Sequence, residues 1–137
     1  MNLRRVSAAR AGFPRVTGVE VSSGAISSAI SAARHAGLSR SAASFIADDA
    51  TAWARAQSPE DVPDVIVVNP PRRGIGTDLA AYLNECDAPR VIYSSCNPAS
   101  LATDLAAMPT LRPIEGRIFD MFPHTTHAEV AILLERA

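Results

Sequence analysis

Lysine is absent: all 13 basic residues are arginine, and against 14 acids they leave a formal net charge of −1. That balance removes any global electrostatic signal for a polyanion, which would have to be met by a local cluster of arginines. Cysteine is scarce. Cys86 and Cys96 cannot build a disulfide framework, and no Cys-x-x-Cys pairing offers a zinc site. The expected compartment is therefore the reducing cytoplasm. Long apolar runs are missing as well; none approaches the ~20 residues that a transmembrane helix needs, so no membrane association is expected. The first fifteen residues carry four arginines and no acid, but no apolar segment follows them, so a secretory leader is not expected either. Internal repeats and low-complexity tracts are lacking.

What is present is enough for a folded core. Hydrophobic residues make up 47% of the 137 and charged residues 20%, a composition that argues for one globular domain, or a fragment of one, rather than disorder. The chain alternates between two periodicities. Val16–Val21 is a β-branched run that reads as a buried strand, and Ser22-Ser23-Gly24 offers a cap for a helix from Ala25 to His35. Ile26, Ile30 and Ala33 share one face of that helix, and Gly37 is its C′ residue with Leu38 as the apolar partner. Ser44–Asp49 is a second strand ending in acids, and Asp48 or Asp49 is placed to cap a short helix from Ala50 to Ala56.

The strongest strand is Asp64–Val68, which runs directly into Asn69-Pro70-Pro71-Arg72-Arg73-Gly74. An unbroken apolar run bounded by breakers is the pattern of a central parallel strand. A helix from Thr77 to Asn84, a strand from Arg90 to Ser94, a helix from Ala99 to Met108, and strands over Leu111–Phe119 and Val130–Leu134 complete the pass. The last two strands lie close together and read as an antiparallel pair. Repeated strand–helix units with one late β pair indicate an open, doubly wound α/β sheet. The beginning is unusual, because residues 1–15 show neither a strand nor a Gly-rich turn.

In open α/β sheets, ligands bind beyond the carboxyl ends of the strands. That rule selects Glu20, Asp48 and Asp49, Asn69, and Cys96. An acid at such a strand end can accept hydrogen bonds from the two ribose hydroxyls of a nucleotide-like cofactor, although a solvated charge has the same spacing. Two consecutive prolines after Asn69 fix φ and remove two donors, which presents its side chain at a defined place; a merely rigid turn has the same sequence. Arg72 and Arg73 form a local basic pair suited to phosphate contacts.

Ser94-Ser95-Cys96-Asn97-Pro98 sets a thiol where a strand gives way to a helix, and a helix N-terminus favours the nucleophilic thiolate. A lone cysteine is more commonly a buried structural residue, but two serines and an asparagine are poor wrapping for one. Cys86 lies at a helix end and reads as incidental. His124 and His127 at i, i+3 make a weak zinc signal without a third clear ligand. A Cys96/His124 dyad is formally open. Glu129, at the mouth of the last apolar run, can serve as a general base or simply begin a strand.

Taken together and in order, Val68–Gly74, Tyr93–Pro98 and Phe119–Glu129 resemble the RNA 5-methyluridine (uracil-C5) methyltransferase family, and within it the branch acting on large-subunit ribosomal RNA. The resemblance runs from about Val16 to Ala137. It implies a truncated Rossmann-like, S-adenosylmethionine-dependent methyltransferase fold, with residues 1–15 a non-matching segment and residues 16–137 a partial catalytic domain. By position, Cys96 matches the family's nucleophile, Glu129 its base, and Glu20, Asp49 and Asn69 its cofactor contacts. Many relatives carry Asp where Asn69 stands. The family chemistry suits these residue types: a thiolate adds at uracil C6, the activated C5 takes a methyl group, and a carboxylate removes the C5 proton. Phe122 or Arg72 would help hold a base displaced from RNA.

The family's first strand and Gly-rich turn have no counterpart here, nor does the N-terminal half that carries iron–sulfur cysteines and RNA-binding surface. In that fold the missing strand lies between those at Val16 and Val65, so its loss leaves two unpaired edges or forces them together. The resemblance therefore also implies an alternative, an inactive remnant or a part requiring another polypeptide. A third reading, amino-methylation of adenine, shares Asn-Pro-Pro but calls for an aromatic residue where Arg72 stands.

Overall fold

The computed structural model describes residues 12–120 and 128–137. The chain divides into two compact units, one ending at Ala56 and the other spanning Gln57–Ala137. The first unit holds β1 (Val16–Glu20), α1 (Ser23–His35), β2 (Ala43–Ala47) and α2 (Ala50–Arg55). The second holds a 3₁₀ turn (Pro59–Asp61), β3 (Val65–Val68), α3 (Thr77–Glu85), β4 (Arg90–Ser95), α4 (Pro98–Ala106), β5 (Leu111–Phe119) and β6 (Glu129–Arg136).

Local chemistry explains the first unit. Ser22 caps α1, its hydroxyl accepting from the Ala25 N–H at 3.2 Å. The helix ends in a Schellman motif. Gly37, at φ 73°, donates to the Arg34 carbonyl and Leu38 to that of Ala33, both at 3.0 Å; the left-handed conformation costs glycine nothing. The buried face is formed by Ile26, Ala29 and Ala33. Ile30, expected on that face, is only half-buried, because the small Ala29 sits closer to the line of contact. β1 and β2 pair in parallel, Val16 opposite Ala43 through Glu20 opposite Ala47. Asp49 caps α2, accepting from the Ala52 N–H at 2.8 Å.

The second unit is a four-stranded mixed sheet in the order β3-β4-β6-β5. β3 and β4 run parallel, as the long crossover through α3 requires. β6 lies antiparallel to both β4 and β5, and β5 forms the outer edge with a register shift between Pro113 and Glu115. A proline is tolerated there because an edge strand has one side without ladder bonds. Val68, Val91, Tyr93 and Leu134 point to the sheet face that packs against Ala80 and Leu83 of α3 and Leu101 of α4, with Met108 and Leu111 closing the cluster. Tyr93, Leu83, Met108, Leu134 and Val91 are fully buried. Val67, on the other face, is 44% exposed.

The ends of α3 and β6 are tied together by Arg136. Its guanidinium donates to the carbonyls of Leu83 (2.8 Å), Asn84 (3.0 Å) and Ala88 (3.1 Å) and to the Thr110 hydroxyl (3.0 Å). A cation at a helix C-terminus complements the dipole and satisfies carbonyls that the helix itself leaves unpaired. Of the two outcomes expected for the sheet, separate edges prevail: β1–β2 and β3-β4-β6-β5 are distinct sheets among the described residues.

Candidate active site

Within each unit, most of the polar residues singled out from sequence lie at the carboxyl ends of strands. In the first unit, Glu20 ends β1 opposite Ala47, and Asp49 follows two residues later at the same end of the pair. Glu20 is half-buried and its Oε1 accepts from the Ser22 N–H at 3.2 Å. Asp48 Oδ1 accepts from the Asp49 N–H at 2.7 Å, and its own N–H donates to the Glu20 carbonyl at 3.1 Å. The two strand ends are thus stitched into one acidic edge.

In the second unit, Asn69 leaves β3 directly after Val68, whose register partner is Tyr93. Asn69 is exposed. Cys96 is the first residue beyond β4 and is half-buried. Asn97 then caps α4, its Oδ1 accepting from the Ala99 N–H at 3.1 Å, with Pro98 at the first helical turn where a missing N–H costs nothing. Ser95 and Asn97 exchange two further hydrogen bonds at 3.0 Å, which fixes the turn that carries the thiol. The β4–β6 register sets Ser95 opposite Val130, so Cys96 and Glu129 lie at the same end of the same strand pair, each one step beyond it. Glu129 is half-buried, and the Ser94 hydroxyl donates to its Oε1 at 2.5 Å.

The segment after Asn69 is held by α4. Asn97 Nδ2 donates to the Arg72 carbonyl at 2.8 Å. Asp104, 7% exposed, accepts from the Ile75 N–H at 2.9 Å and from the Tyr93 hydroxyl. Gly74 at φ 90° lies against that carboxylate; a Cβ there would meet Asp104 Oδ2 at 2.5 Å, so the glycine is required for both its conformation and its lack of a side chain. Burial, and then the bond to Asp104 and its charge, push the Tyr93 phenol well above the usual tyrosine range, so it remains a donor.

Sequence patterning missed Ser94 as a partner of Glu129, and it missed Asp104. A signal for Asp104 existed: it falls on the apolar stripe of Leu101, Leu105 and Met108, where an acid needs buried donors. His124, His127 and Phe122, the zinc, dyad and base-stacking candidates, lie outside the described residues. Among the described residues, no group of three His, Cys, Asp or Glu side chains is placed to hold a metal ion. No described helix is long and apolar enough to cross a membrane.

Residues 61–137 match the tRNA (Uracil-5-)-methyltransferase family. The chain belongs to this family. It is 44% identical over 123 residues to the 23S rRNA (uracil(747)-C(5))-methyltransferase RlmC of Pectobacterium atrosepticum, covering 90% of this chain and 32% of that protein. The corresponding RlmC of Halothiobacillus neapolitanus is 47% identical over 123 residues, covering 89% and 32%. Among solved structures, the Pyrococcus abyssi tRNA (uracil-54, C5)-methyltransferase in complex with S-adenosyl-L-homocysteine superposes with a TM-score of 0.80 at 30% identity, covering 94% of this chain and 30% of that one. The fold is thus the Rossmann-like fold of this uracil-C5 methyltransferase family, and the chain spans about a third of the length of the curated relatives it matches.

Proposed function

We propose that this chain carries the chemical residues of an S-adenosylmethionine-dependent methyltransferase that modifies C5 of uracil in 23S ribosomal RNA in the cytoplasm. The observation that carries the reading is the β4–β6 register, which sets a half-buried thiol and a half-buried carboxylate at one end of one strand pair. The named function of the RlmC relatives supports the substrate class.

The donor set suits a nucleoside cofactor. Glu20 and Asp49 at one strand end can accept ribose hydroxyls, and Asn69, an exposed amide at another, can both donate and accept at a base edge. When bound, S-adenosylmethionine supplies an electrophilic methyl group. The chain's own residues do the rest. The Cys96 thiolate adds to C6 of the uracil ring, and the electron pair displaced from the C5–C6 double bond makes C5 nucleophilic. Once C5 bears its methyl group, Glu129 takes the C5 proton, the C5–C6 double bond re-forms and the thiolate leaves. Arg72 and Arg73, exposed after the double proline, offer contacts for the RNA backbone.

RNA carrying 5-fluorouridine at the target tests this directly, because fluorine at C5 cannot be removed as a proton and the enzyme remains attached. With S-adenosylmethionine present, the chain is expected to form an adduct stable to denaturing electrophoresis, and Cys96→Ala to form none. An unaltered chain that forms no adduct overturns the proposal.

A second reading is that the cofactor contacts of this chain require another polypeptide, since β1–β2 and β3-β4-β6-β5 share no ladder among the described residues. Isothermal titration with S-adenosylmethionine separates the two readings, since absence of binding by the chain alone favours the second.

A further inference from the structure

Ser94 is a buried hydroxyl near the carboxyl end of β4, 3% exposed, beside the chemistry but with no part in the bond changes. It stands opposite Ala131 in the β4–β6 ladder. Glu129 is two residues before Ala131, so its side chain emerges on the same sheet face, as a diagonal neighbour of Ser94. The Ser94 Oγ donates to Glu129 Oε1 at 2.5 Å. β4 is paired on both sides, by β3 and by β6, so the donor is fixed to an interior strand of the sheet. A glutamate carboxylate is joined to the backbone through bonds that rotate. A hydroxyl anchored on β4 restrains that rotation and sets which way the carboxylate faces.

We propose that Ser94 is a positioning residue that orients the Glu129 carboxylate to take the C5 proton, a reading that rests on the uracil-C5 methylation proposed above. The step it governs is the last one. The C5–H bond breaks with its proton passing to Glu129, its electron pair re-forms the C5–C6 double bond, and the C6–S bond breaks with its pair returning to the Cys96 sulfur. Ser94 has no part in the earlier attack of sulfur on C6. The two halves of the reaction should therefore respond differently to its removal.

Two RNAs distinguish the halves. With 5-fluorouridine RNA, the rate of adduct formation reports attack and methylation alone. With the matching uridine RNA, product release also requires proton removal. Ser94→Ala is expected to form the fluorinated adduct at the rate of the unaltered chain, yet to release 5-methyluridine RNA about tenfold more slowly, a part of the ~10²–10⁴-fold that a positioned base contributes. A denaturation-resistant adduct with ordinary uridine RNA should accumulate accordingly. Glu129→Gln should show the same pattern more severely, and Ser94→Thr, which keeps the hydroxyl, should restore release.

A Ser94→Ala chain that slows both RNAs equally has lost structure rather than positioning, and this overturns the assignment, as does unchanged release. An unaltered chain that forms no fluorinated adduct overturns the underlying reading itself, and the assignment with it. The two failures are thus told apart by the first lane of the gel.

Discussion

Asp104 gives the sharpest test of how the segment after β3 is built. Its carboxylate is the acceptor for two donors, the hydroxyl of fully buried Tyr93 and the N–H of Ile75, which also reaches the phenol oxygen. Asp104→Ala leaves the buried Tyr93 hydroxyl without its acceptor and the Ile75 N–H with the phenol oxygen alone; an orphaned donor costs about 1–3 kcal/mol, so the expected destabilisation is about 3 kcal/mol. For a chain of this size that is a fall in Tm of roughly 9–12 °C. Tyr93→Phe alone leaves the carboxylate with the Ile75 N–H still donating and is expected to cost about 1–2 kcal/mol. In the double variant the stranded phenol is gone, so the combined loss should be smaller than the sum of the single losses by at least about 1 kcal/mol. Urea unfolding followed by far-ultraviolet circular dichroism measures all four corners of the cycle. Additivity within about 0.5 kcal/mol, or an Asp104→Ala loss below about 1 kcal/mol, would refute the claim that this carboxylate joins the two segments.

Further outcomes follow from the same geometry. Arg136→Met keeps most of the side-chain stem but withdraws the cation from the Leu83 and Asn84 carbonyls at the end of α3 and the Ala88 carbonyl just beyond it; partial water access tempers the loss, and about 2–3 kcal/mol of destabilisation is expected in the same urea titration. Stability should also fall in alkali. The Tyr93 phenol is held above its unfolded value by burial and by Asp104. The folded chain therefore binds the proton more tightly, and this contribution is complete below a pH of about 10 and fades as the pH rises beyond it. Tyr93→Phe should flatten that part of the decline, as read from unfolding midpoints between neutral pH and strong alkali.

The elements that sequence patterning placed correctly are those whose causes are local. Ser22 and Asp49 mark helix starts because a side-chain oxygen reaches an N–H three residues on. Gly37 marks a stop because only glycine takes its backbone angle without strain. The β-branched run before Asn69 and the Asn97-Pro98 pair are equally self-contained, and each boundary moved by no more than two residues. The motif order from Val68 to Glu129 was enough to bring the family into view.

Other features depend on partners far apart in the chain. Ser94 and Glu129 are 35 residues apart, and only the strand register makes them neighbours. Asp104 reaches Ile75 from 29 residues away, and Arg136 reaches Leu83 from 53. Helix and strand periodicities determine which face of an element is apolar, and capping chemistry determines where it ends, because both act within a few residues. Which acid receives which donor is decided by the sheet order β3-β4-β6-β5, since pairing brings distant backbones within hydrogen-bonding reach and no short stretch of chain specifies that on its own.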